Sequence, residues 1–591
     1  MESPAEPAAP RPDAVGAARR GGAVLLVLAA HLFVAAVATW PLLGAPTTRL
    51  VGDPRVDVWN HAWGPWWFAT TIGRGDIPLA TQMLGAPVGG RLWYIDPIGA
   101  LLGAPLVGPL GPAAAYNTTI FAAVLLASVA GRRLSRALGA SEGGAWLAAV
   151  ATACSPYLLS EVHNGVSEAC WIGWSVLALG SLARAARPEG RWWDWATTGL
   201  WGGVTAVGTV YYALGLALVA TPIVLVELVR TRGRALPGVL LGAAVAALTA
   251  APALRGAAWT LADDAHTLVH RDYGHWSDRM SILAHNAVDI RSFFLPGFQS
   301  VDLTPLGEHF LHSSFAGWLV LGAVLFARRR AWVFAALVGL VFSLGPFLWW
   351  GADFVRYEDR LLRLPAAVFL EILPASIVGH PQRMGAPGLA VLAALAGVAV
   401  SRLSPRWIAG LTALCAAELL AASPWPTATA AFPDEPVALR IRADAVARAV
   451  SEAVVLDLPG DAPGQGMLPS RYLFAQAFHG QPIPYVPDAR MNTNRLASTH
   501  GVSALLDAAV SGNGVASLAK EGVGWVVLHR DIGDVALAEE RLTAWLGAPE
   551  VHGEARMWIV PNPRPRQGPK PTALKPPWRW PWVPSGRASV R

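Results

Sequence analysis

The chain has 591 residues, of which 53% are hydrophobic and only 15% charged, with a formal net charge of +6 and a mean hydropathy of +0.40. A water-soluble protein of this length needs more charge at its surface, and so small a net charge, spread over loops, gives no ground for nucleic-acid binding. Cys154, Cys170 and Cys415 all lie in or beside apolar runs, which reads as buried thiols and not as a disulfide framework.

Residues 1–20 form a Pro/Ala-rich tail that ends in Arg19 and Arg20. The apolar segment 21–43 is longer than the core of a signal peptide and reads as a retained anchor. Further apolar runs of bilayer-crossing length occupy 113–131, 143–159, 166–183, 194–211, 212–229, 237–254, 312–327, 331–350, 385–401 and 406–423. The expectation is a polytopic α-helical membrane protein with about eleven transmembrane helices over 21–423. Arginine placement orients it. With the N-terminus inside, each short inside loop is arginine-rich: Arg132, Arg133 and Arg136; Arg184, Arg187 and Arg191; Arg230, Arg232 and Arg234; Arg328 to Arg330; Arg402 and Arg406. Lysine occurs only at 520, 570 and 575, and the Ala, Gly and Pro excess is that of a GC-rich bacterial genome, so the expected location is the bacterial cytoplasmic membrane.

A proline-rich linker, "SPWPTATAAFPDEP", follows the last span and emerges outside. Over 424–562, helix-like "VALRIRADAVARAV" and strand-like "AVVLDLP", "GVGWVVLH" and "RMWIVP" predict a small extracytoplasmic α/β domain. Residues 563–591 are a Pro/Trp/Arg-rich tail expected to be disordered.

The long first outside loop, 44–112, opens with "GDPRVDVWNHAW". Asp before Pro predicts a helix capped by Asp53, with Pro54 at its first position. Trp59, Trp63 and Trp66 or Trp67 then share a face, and Asp57, Asn60 and His61 another, so the helix is expected to lie in the membrane interface. A carboxylate there can take the proton from an attacking hydroxyl. Asp53 is the expected base, although a helix dipole would lower the basicity of a capping aspartate.

These segments, together with "DPIGALLGAPLVGPLGPAAAYN", "SPYLLSEVHNGVSEACWIGWSVLAL", "TVYYALGLAL" and "GHPQRMGAP", resemble the GT-C superfamily of polyprenyl-phosphate-sugar-dependent glycosyltransferases, and more narrowly its bacterial multispanning YfhO-like group. The resemblance implies a GT-C-like membrane domain, a polyprenyl-phosphate-linked sugar donor among membrane lipids, and a first-loop aspartate as base. That role maps onto Asp53, with Asp57 as its substitute. Asp57, one turn on, reads as joining Asp53 either in orienting the acceptor or in holding a divalent cation, Mg2+ or Mn2+; the four-residue spacing is not a recognised metal signature, and many members carry a closer two-acid pattern.

Further polar groups fall at the same level. Glu161, His163 and Glu168 sit in a short outside turn, either as solvated surface or with His163 and Glu161 reaching the same cavity to bind acceptor or cation. Tyr211 and Tyr212 at a span end, and Trp93, Tyr94 and Asp96 in "RLWYIDP", suit a headgroup belt or a sugar. His380 and Arg383 precede a span, and Arg383 is the first choice for donor phosphate because a guanidinium fork matches phosphate oxygens. Arg279 and His285 come second. No soluble-enzyme motif appears, and His529 after a buried strand reads as structural. The leading expectation is an enzyme that transfers a lipid-linked sugar to an extracytoplasmic lipid, glycan or protein. The alternatives are a transporter or flippase, which predicts charge within the spans, and a non-catalytic GT-C-like assembly protein.

Overall fold

The computed structural model describes residues 12–262, 267–268, 286–297, 299–302, 309–351, 353–372, 379–450, 452–461, 468–487, 495–497, 502–503 and 514–564. Each expected span contains helix. The first three helices are α1 (Pro12–Ala38), α2 (Val58–Gly73) and α3 (Pro97–Leu138). They are followed by α4 (Glu142–Ala153), α5 (Pro156–Asn164), α6 (Ser167–Cys170) and α7 (Gly173–Ala185). Next come α8 (Trp192–Gly208), α9 (Val210–Arg230), α10 (Leu236–Leu261), α11 (Trp318–Val324) and α12 (Arg330–Ser343). The last two of this region are α13 (Pro381–Val400) and α14 (Pro405–Ala421). Five helical stretches among the described residues are long and apolar enough to cross a membrane: 97–138, 142–164, 210–230, 236–261 and 381–400.

Some expected spans are reshaped. The segment 312–327 follows a strand, His309–His312, and is helical only over α11. Seven residues rise about 10 Å, too little to cross a bilayer alone. The Glu418 carboxylate on α14 caps α11 by accepting from the Trp318 and Leu319 amides. The run 331–350 stops being helix at Ser343. The division within 194–229 falls at Thr209, whose extended backbone (φ −153°, ψ 110°) separates α8 from α9. In α3, Gly111 at φ 83° breaks the helix just before Pro112. The outer piece leaves Leu101, Leu102 and Leu110 exposed.

Helix α13 is buried along nearly all its length, against α3, α4, α9 and α12. Its small residues permit this: a Cβ at Gly397 would strike the Gly144 carbonyl of α4, and one at Gly144 would strike the Gly397 carbonyl. Backbones that approach this closely gain dispersion where the apolar surroundings supply no hydrophobic drive.

The first-loop helix departs from expectation. It begins at Val58, with Asp57 and not Asp53 in the N-cap position. The Asp53 carboxylate instead accepts from the Arg55 backbone N–H (2.9 Å), closing an Asx turn that keeps residues 54–57 out of the helix. Its tryptophans, expected to face lipid or protein, face protein. Trp59, Trp63, Trp66 and Trp67 are all buried. Trp63 stacks on Trp67 with centroids 5.5 Å apart, and its Nε1 donates to Gln476 Oε1 (2.9 Å). Pro65 lacks the N–H that would bond the His61 carbonyl one turn back. The Tyr94 hydroxyl donates to that carbonyl (3.0 Å) instead, and its ring fits only because residue 64 is glycine.

What covers the tryptophans comes from beyond residue 423. Strand β1 (Arg49–Val51) pairs antiparallel with β2 (Thr429–Ala431). There follow α15 (Glu435–Ala447), β3 (Val454–Leu458), α16 (Leu468–His479), α17 (Gly514–Lys520) and β4 (Val523–His529). The last elements are α18 (Ala536–Leu546), β5 (Glu550–His552) and β6 (Ala555–Ile559). The sheet order is β3-β4-β6-β5, with β3 and β4 parallel and the other pairs antiparallel. β3 and β4 are buried at every position, in keeping with apolar runs that only Asp457 and His529 interrupt. Residues Val437, Tyr472, Leu473, Ile483 and Trp525 share one core with Trp63, Trp66 and Trp67. Beneath it His529 is buried between Asp457 (Nε2 to Oδ1, 2.9 Å) and Asp434 (Nδ1 to Oδ1, 3.3 Å), while Arg471 grips Asp434 with two bonds (2.6 and 2.8 Å).

Candidate functional site

Several helix ends converge beside α2. Asp57 stands at the start of α2 with its side chain 24% exposed, and His61 one turn on is buried. Asp96 caps α3, accepting from the Gly99 N–H (2.8 Å). Helix α5 brings Glu161 and Tyr157, α6 brings Ser167 and Glu168, and α9 and α13 bring Tyr212 and Arg383. Glycine at position 165, with φ 72°, allows the reversal between α5 and α6, and any Cβ there would strike Val58 of α2.

The polar atoms form two groups. In the deeper one, Arg383 Nη1 donates to Glu168 Oε1 (2.8 Å) and its Nε lies 3.5 Å from Glu161 Oε1. Arg383, Glu161 and Glu168 are each no more than 3% exposed. His61 Nε2 lies 3.3 Å from Glu168 Oε2 and 4.0 Å from Asp57 Oδ2. Its Nδ1 is 3.0 Å from Ser167 Oγ, which in turn lies 2.5 Å from Asp96 Oδ2. Burial holds the His61 imidazole below its ordinary range and pushes the Asp96 carboxyl up. Tyr157 and Tyr212 share a hydroxyl–hydroxyl bond (2.9 Å) at the Glu161 side.

The shallower group contains Asp53, Arg55 and His163. Arg55 forks onto Asp53, Nε to Oδ1 (3.0 Å) and Nη2 to Oδ2 (2.7 Å), with His163 Nε2 at 3.8 Å from Oδ2. Burial pushes the Asp53 carboxyl up, but the Arg55 bonds outweigh it and hold it below the usual carboxylate range. Arg55 itself is 67% exposed.

The structure thus brings together Asp57, His61, Glu161 and Arg383 in one group, and Asp53 with His163 in the other. It changes what several of them can do. Glu161 and Glu168 are not solvated turn residues, because α5 and α6 fold that turn inward onto Arg383. Arg383 is committed to two carboxylates and neither snorkels nor reaches out. Tyr212 is buried and is no headgroup anchor; Tyr211 packs against the His380 ring (4.8 Å between centroids) and lies under the Arg383 guanidinium (5.7 Å). Arg279 and His285 lie outside the described residues. Asp96, expected at a headgroup belt or a sugar, instead joins this buried polar group through Ser167, for which the sequence carries no expectation. The Asp-Pro pair at 96–97 is a readable cap signal, but nothing in the sequence marks Ser167.

A divalent cation fits this arrangement poorly. Both oxygens of Asp53 are taken by the Arg55 fork, and among the described residues no three His, Cys, Asp or Glu side chains are arranged to hold a metal ion.

No protein-family model matches the chain, and no curated protein matches its sequence. Solved structures do share its fold. ArnT from Cupriavidus metallidurans in the apo state aligns over 95% of this chain and 100% of its own, with 13% identity and a TM-score of 0.51. The arabinofuranosyltransferase AftD from Mycobacteria aligns over 92% of this chain and 40% of its own, with 14% identity and a TM-score of 0.52. The chain therefore has the GT-C fold.

Proposed function

We propose that this protein is a membrane glycosyltransferase that moves a sugar from a polyprenyl-phosphate donor to an extracytoplasmic acceptor, with Asp57 as general base. The GT-C fold supports the reaction class, since AftD, which shares it, is an arabinofuranosyltransferase. The observation that carries the choice of base is the contrast between the two aspartates. Asp53 is clamped and acidified by Arg55, whereas Asp57 is part-exposed and backed by an imidazole. A carboxylate held as an anion by a guanidinium fork is a poor acceptor for the hydroxyl proton of an attacking acceptor, which disfavours Asp53.

In this reading the acceptor oxygen bonds the anomeric carbon while its proton passes to Asp57. The bond to the donor phosphate breaks, with its electron pair leaving on the phosphate oxygen. Arg55, exposed and with N–H donors beyond those given to Asp53, meets the departing phosphate in place of Arg383. The chain crosses the bacterial cytoplasmic membrane about eleven times with its N-terminus inside, and the unit after residue 423 stands outside, over the first loop.

The test is transfer of label from a polyprenyl-phosphate sugar by the full chain in membranes. Asp57→Asn is expected to lower turnover by about 10²- to 10⁴-fold, and Asp53→Asn by much less. Loss in Asp53→Asn alone returns the base to Asp53, and full activity in both variants removes the mechanism.

A further inference from the structure

The deeper group carries more buried negative charge than its cations can match. Asp96, Glu161 and Glu168 are each 1–2% exposed, and among the described residues Arg383 is the only guanidinium that pairs with them. Three buried carboxylates beside one guanidinium and a neutral imidazole would leave two uncompensated charges, an arrangement that proteins avoid by binding protons. The helix N-termini of α2, α3 and α13 soften this excess without removing it.

The spacing of the polar atoms allows one proton two resting places. Asp96 Oδ2, Ser167 Oγ and His61 Nδ1 form a hydrogen-bonded series with spacings of 2.5 and 3.0 Å, and beyond it His61 Nε2 and Glu168 Oε2, both buried without a hydrogen-bond partner, face each other at 3.3 Å. Ser167 has one proton to give, and neutral imidazole has one N–H. If Ser167 donates to Asp96, His61 must donate from Nδ1 to Ser167. Its Nε2 then presents a lone pair to the Glu168 oxygen, which is tolerable only when Glu168 carries a proton. If Asp96 carries the proton, every bond reverses: Asp96 donates to Ser167, Ser167 to Nδ1, and Nε2–H to ionised Glu168. Either arrangement gives His61 Nε2 and Glu168 Oε2 a partner once their 3.3 Å contact closes into a hydrogen bond, and both hold one proton more than the fully ionised set.

We propose that Asp96, Ser167, His61 and Glu168 form a proton-sharing chain that stores one proton, and that the end on which it rests sets the charge beside His61 that acts on Asp57. The step between the two states is balanced. Glu168 gives its proton to Nε2, Nδ1 gives its proton to Ser167, and Ser167 gives its own to Asp96. One negative charge moves from Asp96 to Glu168, and nothing leaves the chain. With the proton on Asp96, the single Nε2–H goes to ionised Glu168, and that negative charge beside His61, whose Nε2 lies 4.0 Å from Asp57 Oδ2, favours proton uptake by Asp57. With the proton on Glu168 that like charge is absent, and Asp57 is held ionised more firmly. His61 is thus a positioning residue for Asp57. The other groups facing the chain are Arg383 and Glu161 at the Glu168 end and Tyr94, whose hydroxyl sits on the His61 carbonyl. The use of the chain in catalysis rests on the transferase reading; its existence does not.

The stored proton can be read without substrate. In the full chain reconstituted in lipid nanodiscs, infrared spectra in H2O and D2O report the C=O stretch of a protonated carboxyl. That band is expected at neutral pH and is expected to be lost or shifted in both Asp96→Asn and Glu168→Gln, because the two ends share one proton. A band that responds to only one of them, or no band at all, overturns the proposal. Ser167 provides a conservative pair of variants: Ser167→Ala cuts the series and should shift the band, whereas Ser167→Thr keeps the hydroxyl and should restore it. Identical spectra in wild type and Ser167→Ala overturn the relay. In the transfer assay, Ser167→Ala should move the pH profile of kcat by about one pH unit with KM unchanged, and Ser167→Thr should move it back. An unmoved profile in an active enzyme removes the link to Asp57. A wild type that transfers no label counts against the transferase reading, and the infrared result stands apart from it.

Discussion

Raising the pH should loosen the C-terminal unit through one side chain, His529. Burial alone would push this imidazole down, but Asp434 and Asp457 on its two nitrogens raise it to about 9. A folded value near 9 against the ordinary 6.5 makes the imidazolium worth about 3 kcal/mol to the folded state. The sign follows from which state holds the proton. Below about pH 6.5 both folded and unfolded chains are protonated and the full contribution is present; it declines as pH rises and is gone above about pH 9. His529→Gln removes the charge and should cost a similar 3 kcal/mol at neutral pH, with no further loss in the alkaline range. The assay is limited proteolysis of the residues after 423 against urea in detergent micelles, at pH values spanning about 6 to 10. With the usual urea slopes, 3 kcal/mol moves the midpoint by about 1 to 3 M. A wild-type midpoint that stays constant across this range, or a variant that falls in parallel with wild type, would refute the reasoning.

Three further outcomes are expected. Arg383→Ala should destabilise the membrane region by about 3 to 5 kcal/mol, because Glu161 and Glu168 would be left buried without their cation; thermal unfolding in micelles measures it, and a change near zero would mean that the pair is solvated. Gly64→Val should drive Tyr94 from its place over the His61 carbonyl, at a cost of about 2 kcal/mol, seen as a lowered unfolding midpoint together with weakened transfer. Gly397→Leu should prevent α13 from reaching α4, so that little folded protein is recovered from the membrane, whereas a substitution at Gly410, which has open space around it, should be tolerated.

How much of this was readable in the chain depends on the range of the forces involved. Apolar runs announce helices because each residue reports its own preference for lipid, and the buried strands at 454–458 and 523–529 announce themselves in the same way. The site is different. Glu161 and Glu168 look like turn residues until Arg383, more than 200 positions later, is placed between them. The Asp53-Pro54 signal for a helix start was sound as local chemistry, but the Arg55 fork captured the carboxylate first. The tryptophans of α2 have a membrane-belt composition. They are buried because α15, α16 and the sheet supply an apolar cover, and nothing within 44–112 discloses that cover.

The pairing of residues 49–51 with 429–431 also has a bearing on biosynthesis. Helix α2 is made early, yet Phe432, Phe474 and Gln476, which hold Trp59 and Trp63, leave the ribosome some 370 to 420 residues later. Until then a tryptophan-rich face stands without its cover, and contacts this distant in sequence close slowly. The segment that carries Asp57 and His61 is therefore among the first translated and the last to reach its final packing. A ribosome that stalls near residue 423 would release a chain whose spans have been made but whose site has not yet been assembled.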